Sequence, residues 1–234
     1  MLRQPSSRSG RAGPHLSLGV AMALRAKLTC AVAALLIAAS PAFACKGKSL
    51  FSDDFREVDE SWGTDAASVS VEDGRVKIKA DPNSGYKILY PSTSFDNFDY
   101  CVTARMPNNL AATNPTGDAT GGLLFWASDY ANFFVFEISA NGQVAVERMT
   151  KSKWTTILNW RKAEGVNVGP GAKNRLRVTA SNGSLTFTVN ETKVGTIKAP
   201  QPEGAGQIGL RAQSEKGKRD AWKFFDLVVT DLAQ

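Results

Sequence analysis

Two glutamates, Glu137 and Glu147, come closest to a catalytic pair in this sequence. Hydrolysis of a glycosidic bond needs two carboxyl groups that face each other across the scissile bond. Glu137 and Glu147 flank Asn141-Gly142, a dipeptide typical of hairpin turns, so we expect them on adjacent strands. Their distances from the turn predict an imperfect register and leave open whether they share a face. The alternative is that each is a solvent-facing strand residue or an ion-pair partner of Arg148.

Histidine and free thiols are not expected to supply catalytic groups in addition to the carboxylates. The single histidine, His15, lies near the amino terminus, ahead of the predicted folded body. A body without imidazole has no Ser-His or Cys-His nucleophile pair and no His-ligated zinc or iron. Carboxylates are therefore the acid-base candidates.

Aromatic residues favour sugar binding, because a flat apolar ring with a polar rim can stack on the face of a sugar. The chain has five tryptophans, of which we expect Trp62 and Trp222 to be core residues. The alternating pattern places Trp126 on the same strand face as Leu124, away from the core. Any one of the remaining tryptophans could instead cap the edge of the core. The predicted ligand-binding set is Trp126, Tyr130, Glu137, Arg148, Trp154, Trp160 and Arg211.

The amino-terminal 44 residues read as a leader. Basic residues precede the apolar run 28–39, and Ala42-Phe43-Ala44 supplies small residues for cleavage after Ala44. The apolar run is shorter than the roughly 20 residues of a membrane span. Translation could start at Met22. We expect an exported bacterial protein, periplasmic or secreted, with one mature domain over residues 45–234 and no transmembrane segment.

Export predicts a disulfide between Cys45 and Cys101, the two cysteines of the body. Closing that loop would stabilise the fold by about 3 to 4 kcal/mol. The alternative is a lipoprotein, in which Cys45 carries the lipid and Cys101 stays free.

Charge argues against nucleic acid as a partner. The net charge is +6, but five of the 28 basic residues precede residue 45 and none of the 22 acidic residues does. The body therefore holds 23 basic and 22 acidic groups, whereas binding driven by phosphates needs a clustered excess of cations. The one dense basic run in the sequence, 216–219, is expected to be a solvated loop.

Short runs rich in Val, Ile, Phe, Tyr and Thr, separated by turn residues, fill the chain from Leu50 onward. Asp73-Gly74, Asn141-Gly142 and Asn182-Gly183 predict tight hairpins, in which both central residues need a positive φ. About a dozen such strands imply two packed antiparallel sheets. The predicted fold class is all-β, a two-sheet antiparallel β-sandwich of the jelly-roll type.

The order of these features resembles the concanavalin A-like lectin and glucanase superfamily. The resemblance rests on Phe51-Ser52-Asp53-Asp54-Phe55, Ser61-Trp62-Gly63, Gly121 to Trp126, Gly206 to Leu210 and Phe225 to Val229. Within this superfamily, the same order of features is typical of laminin G-like, family 16 glucanase-like and 3-keto-disaccharide hydrolase-like domains. The Glu-x-Asp-x-x-Glu motif of family 16 is absent. The resemblance implies the possibility of one structural calcium, with Asp53, Asp54 and Asp226 as candidate ligands, and no required cofactor.

Three functions follow as hypotheses. The first is an exported carbohydrate-binding module without evident catalytic machinery, whose partner is a glycan or cell-envelope polysaccharide. The second is a glycoside or 3-keto-glycoside hydrolase that uses carboxylates. The third is a module that binds another envelope protein, which predicts an exposed apolar patch and no carbohydrate groove; full burial of Trp126, Trp154 and Trp160 would favour it.

Overall fold

The computed structural model describes residues 45, 47–63, 65–111, 117–201 and 204–232. The predicted leader and the alternative start at Met22 lie outside these residues. The strands are β1 Ser49–Asp53, β2 Val69–Glu72, β3 Arg75–Lys79, β4 Gly85–Phe95, β5 Phe98–Arg105, β6 Thr120–Asp129, β7 Asn132–Ser139, β8 Gln143–Thr150, β9 Lys153–Lys162, β10 Lys173–Ser181, β11 Ser184–Val189, β12 Thr192–Lys198, β13 Gly206–Gln213 and β14 Ala221–Thr230. A single 3-10 turn, Glu60–Trp62, is the one helical element among them.

The strands form two antiparallel sheets, which confirms the predicted sandwich. The eight-stranded sheet has the order β12-β11-β10-β5-β14-β3-β2, with β1 paired to β14. The six-stranded sheet has the order β4-β13-β6-β7-β8-β9. Alternate side chains of each strand point to opposite faces, so each sheet turns one apolar face inward.

The core lies between the two inner faces. Phe187 of the eight-stranded sheet contacts Phe125 and Phe136 of the six-stranded sheet, with ring centroids 6.1 and 5.0 Å apart. The hydroxyl of Tyr100 on β5 donates to the carbonyl oxygen of Gly209 on β13 at 3.0 Å, a buried hydrogen bond between the sheets. Trp62 and Trp222 are fully buried, as expected.

All three predicted hairpins are present, with one difference in turn geometry. Asp73-Gly74 and Asn182-Gly183 have positive φ at both positions. At Asn141-Gly142 only the glycine does, at 83°. The Gly142 N–H donates to the Ser139 carbonyl, so the connection is a three-residue loop that ends in a left-handed glycine. This loop sets the register between β7 and β8.

Cys45 and Cys101 form a disulfide, which confirms the predicted pairing over the free-thiol alternative. The bond joins a residue ahead of β1 to β5, a central strand of the eight-stranded sheet, across 56 positions of sequence. No helix in the described part of the chain is long and apolar enough to cross a bilayer.

Candidate functional site

The outer face of the six-stranded sheet carries a groove of about 530 Å³. It gathers four residues of the predicted ligand-binding set together with Glu147. Its lining residues are Gly117, Asp118, Thr120, Glu137, Gln143, Glu147, Trp154, Trp160, Arg211 and Gln213. We call this the sheet groove.

A glycine makes the centre of the sheet groove possible. Gly122 on β6 pairs with Glu137 on one side and with Arg211 on the other, so the three residues form one line across β7, β6 and β13. A Cβ atom at Gly122 would overlap the Phe136 carbonyl oxygen and lie 2.7 Å from Glu137 Cγ. Because Gly122 has no side chain, the side chains of Arg211 and Glu137 can meet above it.

Arg211 and Glu137 form a buried ion pair between Arg211 Nη1 and Glu137 Oε1. Glu137 is 1% exposed and Arg211 is 8% exposed. Thr120 Oγ1 donates to Glu137 Oε1 at 2.9 Å, and Arg211 Nη2 donates to Gln213 Oε1 at 2.7 Å. Removing one partner of such a pair leaves a buried charge without compensation, which is strongly destabilising. The pair therefore fixes the position of both side chains.

The second carboxylate oxygen, Glu137 Oε2, is buried and has no hydrogen-bond partner among the described residues. Leaving a buried acceptor unpaired costs about 1 to 3 kcal/mol. A hydroxyl donor that reaches the floor of the sheet groove would remove this cost.

Glu147 lies on the same face as Glu137, one step along the sheet. Val135 pairs with Glu147, and Glu137 pairs with Ala145. The two glutamates are diagonal neighbours rather than directly opposite, as the imperfect register predicted. Burial raises the pKa of Glu147, and the nearby charge of Glu137 raises it further. Glu147 thus holds a proton to higher pH than an ordinary glutamate does.

Two tryptophans of β9 line the sheet groove. Trp154 is 44% exposed, and Trp160 is half-buried. The Arg211 guanidinium lies over the Trp154 ring, 5.3 Å from its centroid, and the Phe133 ring meets Trp154 edge to face at 5.5 Å. Strands β6, β7 and β8 separate β13 from β9, so Arg211 and Trp154 extend toward each other above them. Part of the Trp154 ring remains open to a ligand.

The prediction that Trp126 faces a ligand is wrong. Trp126 is 2% exposed, and its indole N–H donates to the Asp96 carbonyl at 2.9 Å. Its φ of 49° and the shift of register after Phe125 mark a β-bulge, which interrupts the alternation of β6. As a result, Trp126 joins Phe125 in the core. Gly206 on β13 packs against the Trp126 backbone at this bulge.

Arg148 and Tyr130 lie away from the sheet groove. Arg148 pairs with Phe134 and its guanidinium lies 5.0 Å from the Phe134 ring centroid, so it faces the side opposite Glu147. It lines a separate cavity of about 290 Å³ with Trp126. Tyr130 is exposed, and its hydroxyl accepts a hydrogen bond from the Leu89 N–H at 3.2 Å. A ligand-binding role for either stays a prediction.

The three candidate calcium ligands line one cavity of about 810 Å³, and two of them accept hydrogen bonds from neighbouring N–H groups. Both carboxylate oxygens of Asp53 accept hydrogen bonds at 2.7 Å, from the Phe55 N–H and the Trp62 indole N–H. Asp54 accepts a hydrogen bond from the Arg56 N–H. Asp226 lies at a bulge of β14, with a φ of 49°. Calcium binding there stays a prediction.

The described residues contain one set of carboxylate and thiol groups close enough to share a metal, formed by Cys45, Asp99 and Cys101. Its two sulfur atoms are joined in the disulfide, so they are not thiolate ligands. Asp99 is instead engaged by Arg177, whose Nε and Nη2 each donate to it at 2.6 Å. This set is a structural cluster.

Thr120, Gln213 and Gly122 complete the sheet groove and were not predicted from the sequence. Gln213 follows Arg211 by two positions, and Thr120 precedes Gly122 by two, so strand alternation places each pair on one face. The period of two was therefore a usable signal. The meeting of the β13 and β7 side chains over Gly122 depends on pairing between strands distant in sequence.

Fold and site together define a class: a two-sheet antiparallel sandwich with an aromatic and carboxylate groove on one outer face. The profile of the 3-keto-alpha-glucoside-1,2-lyase-like domain matches residues 44–224. The match spans well over half of the chain, and the protein belongs to this family. A comparison with curated proteins found no match.

Solved structures with a similar fold include carbohydrate-active proteins. The carbohydrate-binding module CBM66 of Bacillus subtilis has a TM-score of 0.51 at 18% identity, over 66% of this chain and 86% of that one. The β-glucanase of Bacillus licheniformis has a TM-score of 0.54 at 13% identity, over 80% and 100%. The laminarinase catalytic domain of Thermotoga maritima has a TM-score of 0.57 at 9% identity, over 80% and 99%. At these identities the similarity shows the fold alone.

We expect Gly122→Ala to destabilise the protein by about 1 to 3 kcal/mol, because the added methyl group overpacks the space between Phe136 and Glu137. Urea unfolding measures the change. Gly195→Ala is the matched control, since a Cβ on this β12 glycine meets its nearest atoms at 3.4 and 3.6 Å. Equal stability of the two variants would contradict the proposed role of Gly122.

We expect Glu147→Gln to be more stable than the wild type at pH 7, with the difference vanishing below about pH 4. The raised pKa means that the folded state binds more protons than the unfolded chain between the two pKa values. The free energy of unfolding of the wild type therefore falls as pH rises from the unfolded to the folded pKa of Glu147. Glutamine does not ionise, so the variant does not lose this stability. Urea unfolding at several pH values measures it. Glu164→Gln, at an exposed site, is the control. A stability difference between Glu147→Gln and the wild type that does not change with pH would contradict the raised pKa of Glu147.

Proposed function

We propose that the sheet groove binds a carbohydrate. The observation that carries the proposal is the convergence of Trp154, Trp160 and the Glu137–Arg211 pair in one groove. Rings that stack on a sugar face, beside fixed polar groups that meet its hydroxyls, are what recognition of a neutral glycan requires. Membership of a family described by a keto-glucoside reaction supports the same class of ligand.

The polar groups of the sheet groove are already fixed before a ligand arrives. Arg211 is held by Glu137, Thr120 and Gln213, so binding costs little side-chain entropy at this position. Glu137 and Glu147 supply acceptors for ligand hydroxyls, and Glu137 Oε2 gains a partner that it lacks among the described residues. These acidic groups favour neutral sugars over acidic ones.

A second candidate is catalysis on a 3-keto-glycoside, and the raised pKa of Glu147 favours it. A ketone at C3 acidifies the hydrogen at C2. A carboxylate base removes that proton, the electron pair forms a C1=C2 double bond, the C1–O bond breaks, and the departing oxygen takes up a proton. A base whose pKa is raised toward neutrality is better suited to this transfer. We assign Glu147 the role of base in this candidate.

The protein is proposed to act outside the cytoplasm. The Cys45–Cys101 disulfide suits an oxidising compartment, and a domain of this family suits contact with external glycans. Release into the periplasm or the medium after cleavage of the leader stays a prediction. The protein-partner alternative loses support, because two of the three tryptophans whose burial would favour it line the sheet groove.

For binding, we expect Trp154→Ala and Trp160→Ala each to weaken affinity by about tenfold or more, which corresponds to about 1.4 kcal/mol of stacking. A glycan array on the oxidised protein identifies ligands, and calorimetry on each hit measures affinity. Ile157→Ala, an exposed residue of the same strand outside the groove lining, is the control. Unchanged affinity in both tryptophan variants, or silence across the array, would count against the groove.

For catalysis, we expect a 3-keto-α-glucoside to yield its free alcohol and an unsaturated keto sugar, with kcat about 100-fold or more lower in Glu147→Gln. NMR of the products distinguishes elimination from hydrolysis. Glu164→Gln should turn over at the wild-type rate. A bound keto-glycoside that stays intact with the wild-type protein would reject the catalytic candidate and leave the binding proposal standing.

A further inference from the structure

Four cations form a line across the outer face of the eight-stranded sheet, on the opposite side of the sandwich from the sheet groove. Lys77 on β3 pairs with Lys223 on β14, Lys223 pairs with Arg105 on β5, and Arg105 pairs with Lys173 on β10. We call these residues the cation row. The preceding and following residues of these strands, such as Val76, Phe224 and Ala104, are buried in the core, so the cation row faces outward.

Carboxylates do not neutralise most of the cation row. Lys77 forms an ion pair with Glu72 at 2.8 Å. Within the described part of the chain, Lys223, Arg105 and Lys173 form no ion pair within 4.0 Å. Partial burial lowers the pKa of Lys223, the neighbouring charges of Arg75, Arg105 and Lys77 lower it further, and the charge of Glu72 partly offsets them. The lysine therefore lies in an environment that is positive on several sides.

Such an arrangement is unfavourable for the isolated fold. Like charges placed directly opposite each other on adjacent strands are destabilising, and the cation row contains three such pairs in succession. The side chains face outward, and two of them have partners: Arg105 Nε donates to the Gly171 carbonyl oxygen at 3.2 Å, and Lys77 pairs with Glu72. An anionic ligand would offset this repulsion.

The spacing of the cation row suits a linear polyanion. Adjacent strands lie about 4.8 Å apart, so four charges extend over about 14 Å in a straight line. Lys173 also lies over the Phe225 ring, with Nζ 5.4 Å from its centroid. This half-buried ring adds an apolar surface beside the charges. A rigid sheet holds all five groups in fixed positions.

We propose that the cation row binds an acidic polysaccharide that carries one carboxylate on each sugar unit. The near-balance of charge in the body, 23 basic against 22 acidic groups, argues against general attraction to nucleic acid. Strands β3, β5, β10 and β14, which carry the cation row, hold none of the large exposed hydrophobic residues of the described chain that could enter a bilayer, namely Leu50, Val58, Tyr130, Trp154, Ile157 and Val168. With nucleic acid and a bilayer disfavoured, a polymer with regularly spaced carboxylates is the anionic ligand that best matches the regularly spaced charges of the cation row.

The test uses polygalacturonate as the probe, with a neutral dextran, phosphatidylglycerol vesicles and single-stranded DNA as comparisons. We expect Lys173→Gln/Lys223→Gln to weaken binding of polygalacturonate by about tenfold or more and to reduce the slope of log affinity against log salt by about 2. Lys151→Gln/Lys153→Gln removes the same charge from the β8–β9 turn and the start of β9, and this variant should bind like the wild type. The melting temperature of the row variant should equal or exceed that of the wild type, because repulsion is removed.

Four results would overturn the proposal: no binding of polygalacturonate at low salt, equal weakening in both double variants, tighter binding of vesicles, or tighter binding of DNA. The outcome is independent of the sheet groove. Loss of neutral-glycan binding in the tryptophan variants with retained polygalacturonate binding separates the two sites, and so does the reverse pattern.

Discussion

The sandwich depends on apolar contact between the inner faces of its two sheets. Phe187 meets Phe125 and Phe136 across the interface, and the buried hydrogen bond from Tyr100 to Gly209 links the same two layers. Because side chains alternate along a regular strand, the neighbour of a core residue points to an outer face, except where a bulge such as the one at Trp126 interrupts the strand. Outer-face positions such as Glu137, Glu147 and Arg211 are therefore not fixed by the contact between the sheets and are free to carry chemistry.

The six-stranded sheet uses that freedom to build a centre around Arg211. Its guanidinium pairs with Glu137, contacts Gln213 and lies over Trp154, so one side chain links a carboxylate to a stacking ring. A buried ion pair is rarely the most stabilising choice for a fold, because desolvation of both charges offsets their attraction. Here Glu137 Oε2 has no hydrogen-bond partner among the described residues, and in the proposed function a ligand hydroxyl would supply one.

Local patterns predicted the fold well, and long-range pairing decided the site. Asp73-Gly74 and Asn182-Gly183 each dictate a hairpin within a few residues, which is why the strands could be assigned from the sequence. The Glu137–Arg211 pair joins positions 74 residues apart, so their meeting depends on a register that no local pattern carries. For Trp126 the local pattern itself gave the wrong answer. Alternation predicted that its side chain faces outward, but a bulge with a positive φ places it in the core.

The distribution of charge follows the same logic. Composition gives a nearly neutral body, and a window along the sequence finds one basic run, at 216–219. Register nevertheless collects Lys77, Lys223 and Arg105 in one line on one sheet, whereas Glu137 and Glu147 lie on the outer face of the other. In the net charge of the whole chain, the positive charges of one face and the negative charges of the other offset each other. A body with almost no net charge can thus carry an acidic groove on one outer face and a positive row on the other, because strand pairing determines which charges become neighbours.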